Sequence, residues 1–580
     1  MKVNDSNDSF AVSEKYDSDS YDELDDSVVD ETYAPSEAES DMSDVPAPMQ
    51  LSDESGDDEE DEEIVTVADQ DASHDNTAGT SKDNKSDEVF QWTRNLYNYV
   101  PRMKLPSSTE PIILANVNRK SSELDTFFAL FPKQLFELIA KHTNRRLEIL
   151  RSEKQLHANV HDTNADEMMI ILGCTMVMSY NHLPALHMYW STKKSMGNTA
   201  IREAVSRDRF QILFSKLYFN EPKKPEGASK TYYMDEIMAC LKNKFLTSRS
   251  DSTYQSIDES MTKFKGRSSL KQYMPMKPVK RGIKLWTRCD AVTGYVYDTN
   301  IYCGKEMEKV EGTLGERVVN QLVSTVTSKD VVFSFDRFFT STKLLSTLPY
   351  AALGTFIKTR RNTPTLEAKF KERGEWEMSA CTDKGILGVH WKDTKDVYLL
   401  TNCNEATVTT TSRKMKDGSK KEVSCPVAME FYNKYMGGVD HADQMITLYE
   451  LDRKSQKWWR KVFFRLLMTA VHNAYIIYNE TNHRKSPYIT FLSAVAEGLL
   501  ENGRKNFKRK RTRKVGRHSR VFSQLEGVGE HLPVKAEVKG CAVYDVKNKR
   551  KKNQHSVSQM QRGPMHGVFY TGTHIISSND

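Results

Sequence analysis

Asp258, Asp336, Asp440 and Asp443 are the side chains whose type and setting suggest chemistry. Asp258 ends the β-type run Thr253-Tyr254-Gln255-Ser256-Ile257 and is followed by Glu259. Neighbouring strand residues face opposite ways, so these two acids cannot share one site if the strand continues. Asp336 directly follows the apolar run Val331-Val332-Phe333-Ser334-Phe335. An acid at a strand's end sits where α/β sheets tend to bind ligands. Asp440 and Asp443 are three apart in Gly437-Gly438-Val439-Asp440-His441-Ala442-Asp443-Gln444-Met445, and on a helix both project from one face. Carboxylates converging from two strands and a helix could hold two Mg²⁺ ions. Such a pair activates a water or 3′-hydroxyl and stabilises the leaving oxygen in phosphodiester cleavage. Plainer readings stand beside this one: Asp336 opens a turn, Asp440 caps a helix after two glycines, and Asp443 pairs with a basic neighbour.

Chemistry on DNA also needs a track for backbone phosphates. Lys277, Lys280, Arg281 and Lys284 crowd near the first acid. Lys454, Lys457, Lys461 and Arg465 fit one helix stripe beside Trp458-Trp459, read equally as DNA-binding or as a solvated face, with the tryptophans in the core. Arg504 to Arg520 holds ten Lys/Arg in seventeen residues and no acid. Within it, Arg504, Lys505, Lys508, Arg509, Lys510 and Arg511 have the look of a bipartite nuclear signal, and Lys549-Arg550-Lys551-Lys552 is a second candidate. Plain phosphate-binding tails are the alternative, and both readings place the chain with nuclear DNA.

The elements that must position these residues come in blocks. Residues 1–90 carry 30 Asp+Glu against 4 Lys+Arg, and the remainder 79 basic against 49 acidic residues. The head is predicted to be disordered, because it has too little apolar surface to repay ordering entropy. It reads as a solvated tail or as a shield over the basic body, and acid-flanked Ser52 and Ser55 resemble kinase sites. The body prefers a polyanionic partner, nucleic acid first. Residues 91–121 read as a linker anchored by Trp92, Tyr97 and Tyr99. Apolar residues at helical spacing begin near Ser122, and 122–251 is mostly α, with stretches around 165–180 and 200–218. From 252 to 358 the order is strand, hairpin around Asp290 to Gly294, helix, strand, helix, strand, which is a mixed α/β pattern. Residues 359–424 are β-leaning and suggest an inserted subdomain. A helix is expected from Val439 and a longer one from about Gln456 to Tyr478, with the last domain boundaries at 425–445, 446–500 and a 501–580 tail. The longest apolar run, Met168 to Met178, is too short to span a bilayer, and no secretory signal is visible. Eight scattered cysteines without a C-x-x-C pair argue for a reducing compartment.

Several of these segments resemble the piggyBac transposases. The resemblance rests on Ser256-Ile257-Asp258-Glu259-Ser260-Met261-Thr262-Lys263-Phe264-Lys265-Gly266-Arg267, on Gln272-Tyr273-Met274-Pro275-Met276-Lys277-Pro278-Val279-Lys280-Arg281-Gly282-Ile283-Lys284, on Phe335-Asp336-Arg337-Phe338-Phe339-Thr340-Ser341 and on the Gly437 to Met445 run. Leu183-Pro184-Ala185-Leu186-His187-Met188-Tyr189-Trp190 and Ser206-Arg207-Asp208-Arg209-Phe210 are also similar, so about residues 120–490 are covered. The resemblance implies a DDE-type transposase in which Asp258, Asp336 and Asp440 hold Mg²⁺ and Asp443 is the fourth acid. It implies an RNase H-like catalytic domain split by the β-rich insertion and embedded in a mostly helical dimerisation and DNA-binding domain. It further implies a homodimer that excises DNA through hairpins and inserts it at TTAA sites. Relatives often end in a cysteine-rich zinc finger. Here His531 and Cys541 resemble its start, but Tyr544 stands at the C-x-x-C partner position, with His555, His566 and His574 beyond. Zinc is therefore not expected. The alternative function is a domesticated nuclear protein that docks on DNA or chromatin, or scaffolds chromatin proteins, without cutting.

Overall fold

The computed structural model describes residues 89–506, apart from 194, 276, 278, 306–310, 416–417, 451–453 and 484–485, together with the short strands 533–535 and 555–557. Ser52, Ser55, the nuclear-signal residues Lys508 to Arg511, the Lys549 to Lys552 run and the finger residues His531, Cys541, Tyr544, His566 and His574 lie outside the described residues.

Six helices precede the sheet: α1 (Glu123–Leu130), α2 (Lys133–Ser152), α3 (Ala165–Tyr180), α4 (Thr199–Ala204), α5 (Arg207–Ser215) and α6 (Asp235–Ser248). A capping box opens α1, with Ser122 Oγ accepting from Asp125 N–H and the Asp125 carboxylate accepting from Ser122 N–H. Pro132 then separates α1 from α2, as a residue without an N–H must. Helix α3 is buried nearly all round rather than on one stripe, which suits a helix surrounded by others.

The sheet strands are β1 (Tyr254–Lys263), β2 (Lys271–Tyr273), β3 (Arg281–Asp290), β4 (Val296–Ile301), β5 (Val332–Phe335), β6 (Ala351–Thr355), β7 (Trp376–Cys381), β8 (Ile386–Lys392) and β9 (Asp396–Thr401), with α7 (Leu314–Val323) and α8 (Thr342–Thr347) between them. The order is β2-β3-β1-β5-β6-β9-β8-β7, and β4 shares the outer edge of β3 with β2. β1 runs antiparallel to β3 but parallel to β5, which runs parallel to β6. Strands from within 359–424 thus extend the main sheet instead of folding apart from it. β10 (Val408–Lys414) and β11 (Lys420–Pro426) pair apart from that sheet, as a two-stranded ribbon. The linker is also tied down, since Thr93 bridges to Ala380 in β7 and Ile113 to Arg249. Trp92 and Tyr99 anchor it as expected, through bonds to the carbonyls of Asn362 and Asn404. Tyr97 does not, being 92 % exposed.

The chain returns through α9 (Val427–Tyr435), α10 (Gly438–Thr447), α11 (Trp458–Asn482) and α12 (Tyr488–Asn506). Helix α11 packs on α1, and α12 on α3. The segments before and after the sheet therefore form one helical core, which continues onto β3, β4 and α10. A second core lies between the sheet and α7 and α8, and a third joins β7, β8, β9 and the ribbon to α9. Lys508 to Asp580 is a separate unit, in which β12 (Pro533–Lys535) pairs with β13 (His555–Val557). Among the described residues no helix is long and apolar enough to cross a membrane.

Candidate active site

β1 runs on to Lys263, so Asp258 lies inside the strand and not at its end. Ile257 pairs in parallel register with Phe335, the last residue of β5. The next residue on each strand, Asp258 and Asp336, therefore meets the other where β5 stops. Asp336 also opens a turn, with Oδ1 accepting from Phe338 N–H at 2.8 Å. The turn aims the carboxyl, so the plain reading and the chemical one describe a single arrangement.

Alternation along β1 puts Ser256, Asp258 and Ser260 on one face. Helix α10 lies on that face. Val439 N–H donates to Ser256 Oγ at 3.2 Å, and Ser260 Oγ donates to Asp443 Oδ1 at 2.8 Å. The approach is possible because residue 438 is glycine. A Cβ there would stand 2.5 Å from Ser256 Oγ and 2.6 Å from the Asp290 carbonyl oxygen, whereas one on Gly437 would meet nothing within 4 Å. Gly438→Ala is accordingly expected to cost about 1–3 kcal/mol and Gly437→Ala close to nothing, as read by urea unfolding.

Asp440, in the first turn of α10, is exposed. It does not cap the helix, because Gly437 holds that place without a side-chain bond. Asp443 is gripped by the Arg465 guanidinium as well as by Ser260. Glu259 faces the other way, as strand geometry demands, with Lys284 Nζ 3.3 Å from Oε2 and Lys277 Nζ 3.5 Å from Oε1. Two residues with no sequence signal complete the surroundings. Tyr432 of α9 lies within electrostatic reach of Asp336, Asp258 and Asp440. Arg360 lies near Asp336 and donates to the carbonyls of Phe338 and Thr340.

The sequence-derived cations divide by burial. Lys280, Arg281 and Lys454 are exposed. Lys284 is buried, with its ammonium 4.1 Å from the Trp286 ring centre. The expected stripe of α11 is not a surface: the helix begins at Trp458, and Lys457, Lys461 and Arg465 are buried. Trp458 and Trp459 are core residues, each 1 % exposed. Arg504 and Lys505, at the end of α12, are exposed.

Burial pushes the Asp258 carboxyl up to about 7; Asp336 and Glu259 add to the rise, while Lys277 and the Glu259 N–H oppose it. Burial likewise raises Asp336 and Asp443, the latter against the pull of Arg465. With a folded value of about 7 against an unfolded value of about 3.9, the native state holds a proton on Asp258 that the unfolded chain has released. That contribution to stability is present at low pH and is lost as pH rises through about 7. His472, pushed down to about 4 by burial, works in the opposite sense at lower pH. A difference measurement separates them. In metal-free buffer Asp258→Asn should gain stability relative to the native chain between about pH 5 and about pH 8, and parallel curves would refute the electrostatic account.

Among the described residues no group of three or more His, Cys, Asp and Glu side chains has ready-made metal-ligand spacing. Asp258 feels the charge of Asp336, and Asp443 that of Asp440.

Residues 122–475 match the family model described as Transposase IS4, and the chain belongs to that family, in its piggyBac-type branch. It is 27% identical over 385 residues to human PiggyBac transposable element-derived protein 3, a match covering 63% of each chain. It is 25% identical over 386 residues to human PiggyBac transposable element-derived protein 2, covering 64% of this chain and 63% of that one. The chain thus spans just under two thirds of these relatives. A solved structure, a cryo-EM structure of the piggyBac transposase synaptic complex with hairpin DNA, superposes with a TM-score of 0.59. At 24% identity, over 68% of this chain and 84% of that one, the likeness shows a shared fold.

Proposed function

We propose that this protein is a metal-dependent DNA transposase, or a host protein derived from one, that cleaves and transfers DNA strands at TTAA sites. The observation that carries the reading is the register that sets Asp258 beside Asp336 at the end of β5, on the face of β1 covered by α10, the helix that bears Asp440. The order β4-β3-β1-β5-β6, antiparallel and then parallel, supports an RNase H-like reading of the central sheet.

An all-carboxylate donor set suits a hard divalent ion such as Mg²⁺. The Asp258 carboxyl is raised chiefly by burial, with the charges of Asp336 and Glu259 adding to the rise. Asp258, Asp336 and Asp440 would hold the ions. When bound, a pair of such ions activates a water or 3′-hydroxyl and stabilises the leaving oxygen of a phosphodiester. Asp443 acts at one remove. Tied to Arg465 and Ser260, it holds α10, the helix that bears Asp440, against β1. The Arg360 bonds to the carbonyls of Phe338 and Thr340 hold the turn that aims Asp336. Exposed Lys280, Arg281 and Lys454 are the remaining candidates for phosphate contact near the site.

The reading places the protein in the nucleus, as a homodimer on DNA. Its test is release of a piggyBac-type DNA segment by the native chain and by Asp336→Asn. Release by the first alone supports catalysis. Duplex binding without release by the native chain supports the alternative favoured by Tyr544 at a zinc-ligand position, a domesticated chromatin-bound protein that no longer cuts.

A further inference from the structure

The β10–β11 ribbon pairs apart from the main sheet and has an inner and an outer face. The inner face is fixed to the body. Val423 and Cys425 are buried there, and the Arg413 guanidinium lies 5.4 Å from the Trp391 ring centre. Trp391 Nε1 donates to the Ser424 carbonyl at 2.8 Å, and Arg373 to the Lys414 carbonyl at 2.9 Å. Arg373 and Arg413 share the Asp393 carboxylate. The outer face pairs Thr410 with Ser424, Ser412 with Glu422 and Lys414 with Lys420, and all six residues are exposed. Lys414 and Lys420 are therefore like charges directly opposed, with Cβ atoms about 5 Å apart. On the inner side Arg413 opposes Lys421 in the same way. Such pairs weaken a ribbon. Here two of them adjoin at the turn end of a ribbon that is otherwise well anchored, which is an arrangement an external anion would relieve.

We propose that the outer face of this ribbon is a duplex-DNA contact, in which Lys414 and Lys420 take backbone phosphates and the hydroxyls of Thr410, Ser412 and Ser424 lie alongside. The donors select the occupant. Ammonium and hydroxyl groups are those that bind phosphate oxygens, and none of the six residues offers an apolar anchor for a peptide. Glu422, the acid on that face, opposes the contact. The ribbon is bonded to β8, which is four places from β1 in the sheet, about 20 Å at the usual strand spacing. It is thus a hold on DNA separate from the acids, and it adds affinity without reading bases. The inference rests on the DNA reading above and gives it a second surface.

The test is the anisotropy of a fluorescein-labelled duplex of mixed sequence, titrated with the full-length chain in EDTA at several KCl concentrations. Lys414→Gln combined with Lys420→Gln should bind about tenfold more weakly at about 0.1 M KCl, with a log–log salt slope shallower by about 1.8, the loss of two phosphate contacts. Lys414→Arg combined with Lys420→Arg should stay near the native curve, which separates charge from loss of fold, and Glu422→Gln should bind more tightly. Unchanged affinity and slope in the glutamine variant, with the native chain binding duplex, overturns the contact and leaves the lysines as guards against edge-to-edge association. Weaker binding of an added peptide of residues 52–63 by that variant, with duplex binding unchanged, assigns the ribbon to the acidic head and also overturns it. If the native chain binds no duplex, the DNA reading falls and the inference with it.

Discussion

Arg465→Ala will loosen α10 from the sheet. Arg465 is 3 % exposed and its guanidinium meets the Asp443 carboxylate, Ser260 Oγ at 3.1 Å and Glu450 at 3.5 Å. Removing it leaves a carboxylate facing α11 without its cation. Breaking a buried pair from one side typically costs about 3–5 kcal/mol. The lower end applies here, because the Asp443 side chain keeps 30 % exposure and can recruit water. The double variant Arg465→Met with Asp443→Asn should recover part of the loss, because no unpaired charge remains. Urea unfolding reads both numbers. A single-variant loss below about 1 kcal/mol would show that the ion pair does not hold the helix.

Arg249→Ala should cost the fold still more, about 4–5 kcal/mol. Arg249 is 1 % exposed, just past α6. It donates to Asp290 at the end of β3 at 2.8 Å, to Tyr297 Oη on β4 at 2.6 Å, and through two nitrogens to Glu480 on α11 at 2.8 and 3.0 Å. One planar group thus bonds the helical body to the sheet from three directions. Arg249→Lys should rescue little, because an ammonium cannot reproduce the paired bonds to Glu480. A native-like unfolding midpoint for either variant would refute this account of the junction.

Much of the site was legible in short-range pattern. The apolar run before Asp336 is β5, the hairpin around Asp290 to Gly294 is β3 and β4, and the Gly438 to Thr447 run is helical. Periodicity of two and of 3.6 marks such elements because each depends on neighbours a few residues away. What stayed hidden depends on distant partners. That Asp258 stands beside Asp336 follows from the register Ile257–Phe335, which no local spacing encodes. Helix α11 was expected to be amphipathic, yet it is buried on all sides, and its cations are accommodated by distant groups: Arg465 by Asp443, and Arg460 by the Phe214 carbonyl at 2.6 Å. Lys461 and Arg465 at helical spacing therefore looked like a surface stripe. The strands of 359–424 looked like an insertion because sequence shows where a strand is, not which edge it joins; β9 joins β6. Tyr432, Arg360 and Arg249 carry no motif and were found by position alone.

Crystals of the full chain soaked in Mn²⁺ and measured at the manganese absorption edge give the most direct reading of the site. The account predicts anomalous density between the carboxylates of Asp258, Asp336 and Asp440. Density elsewhere, or saturating Mn²⁺ with none there, would contradict it.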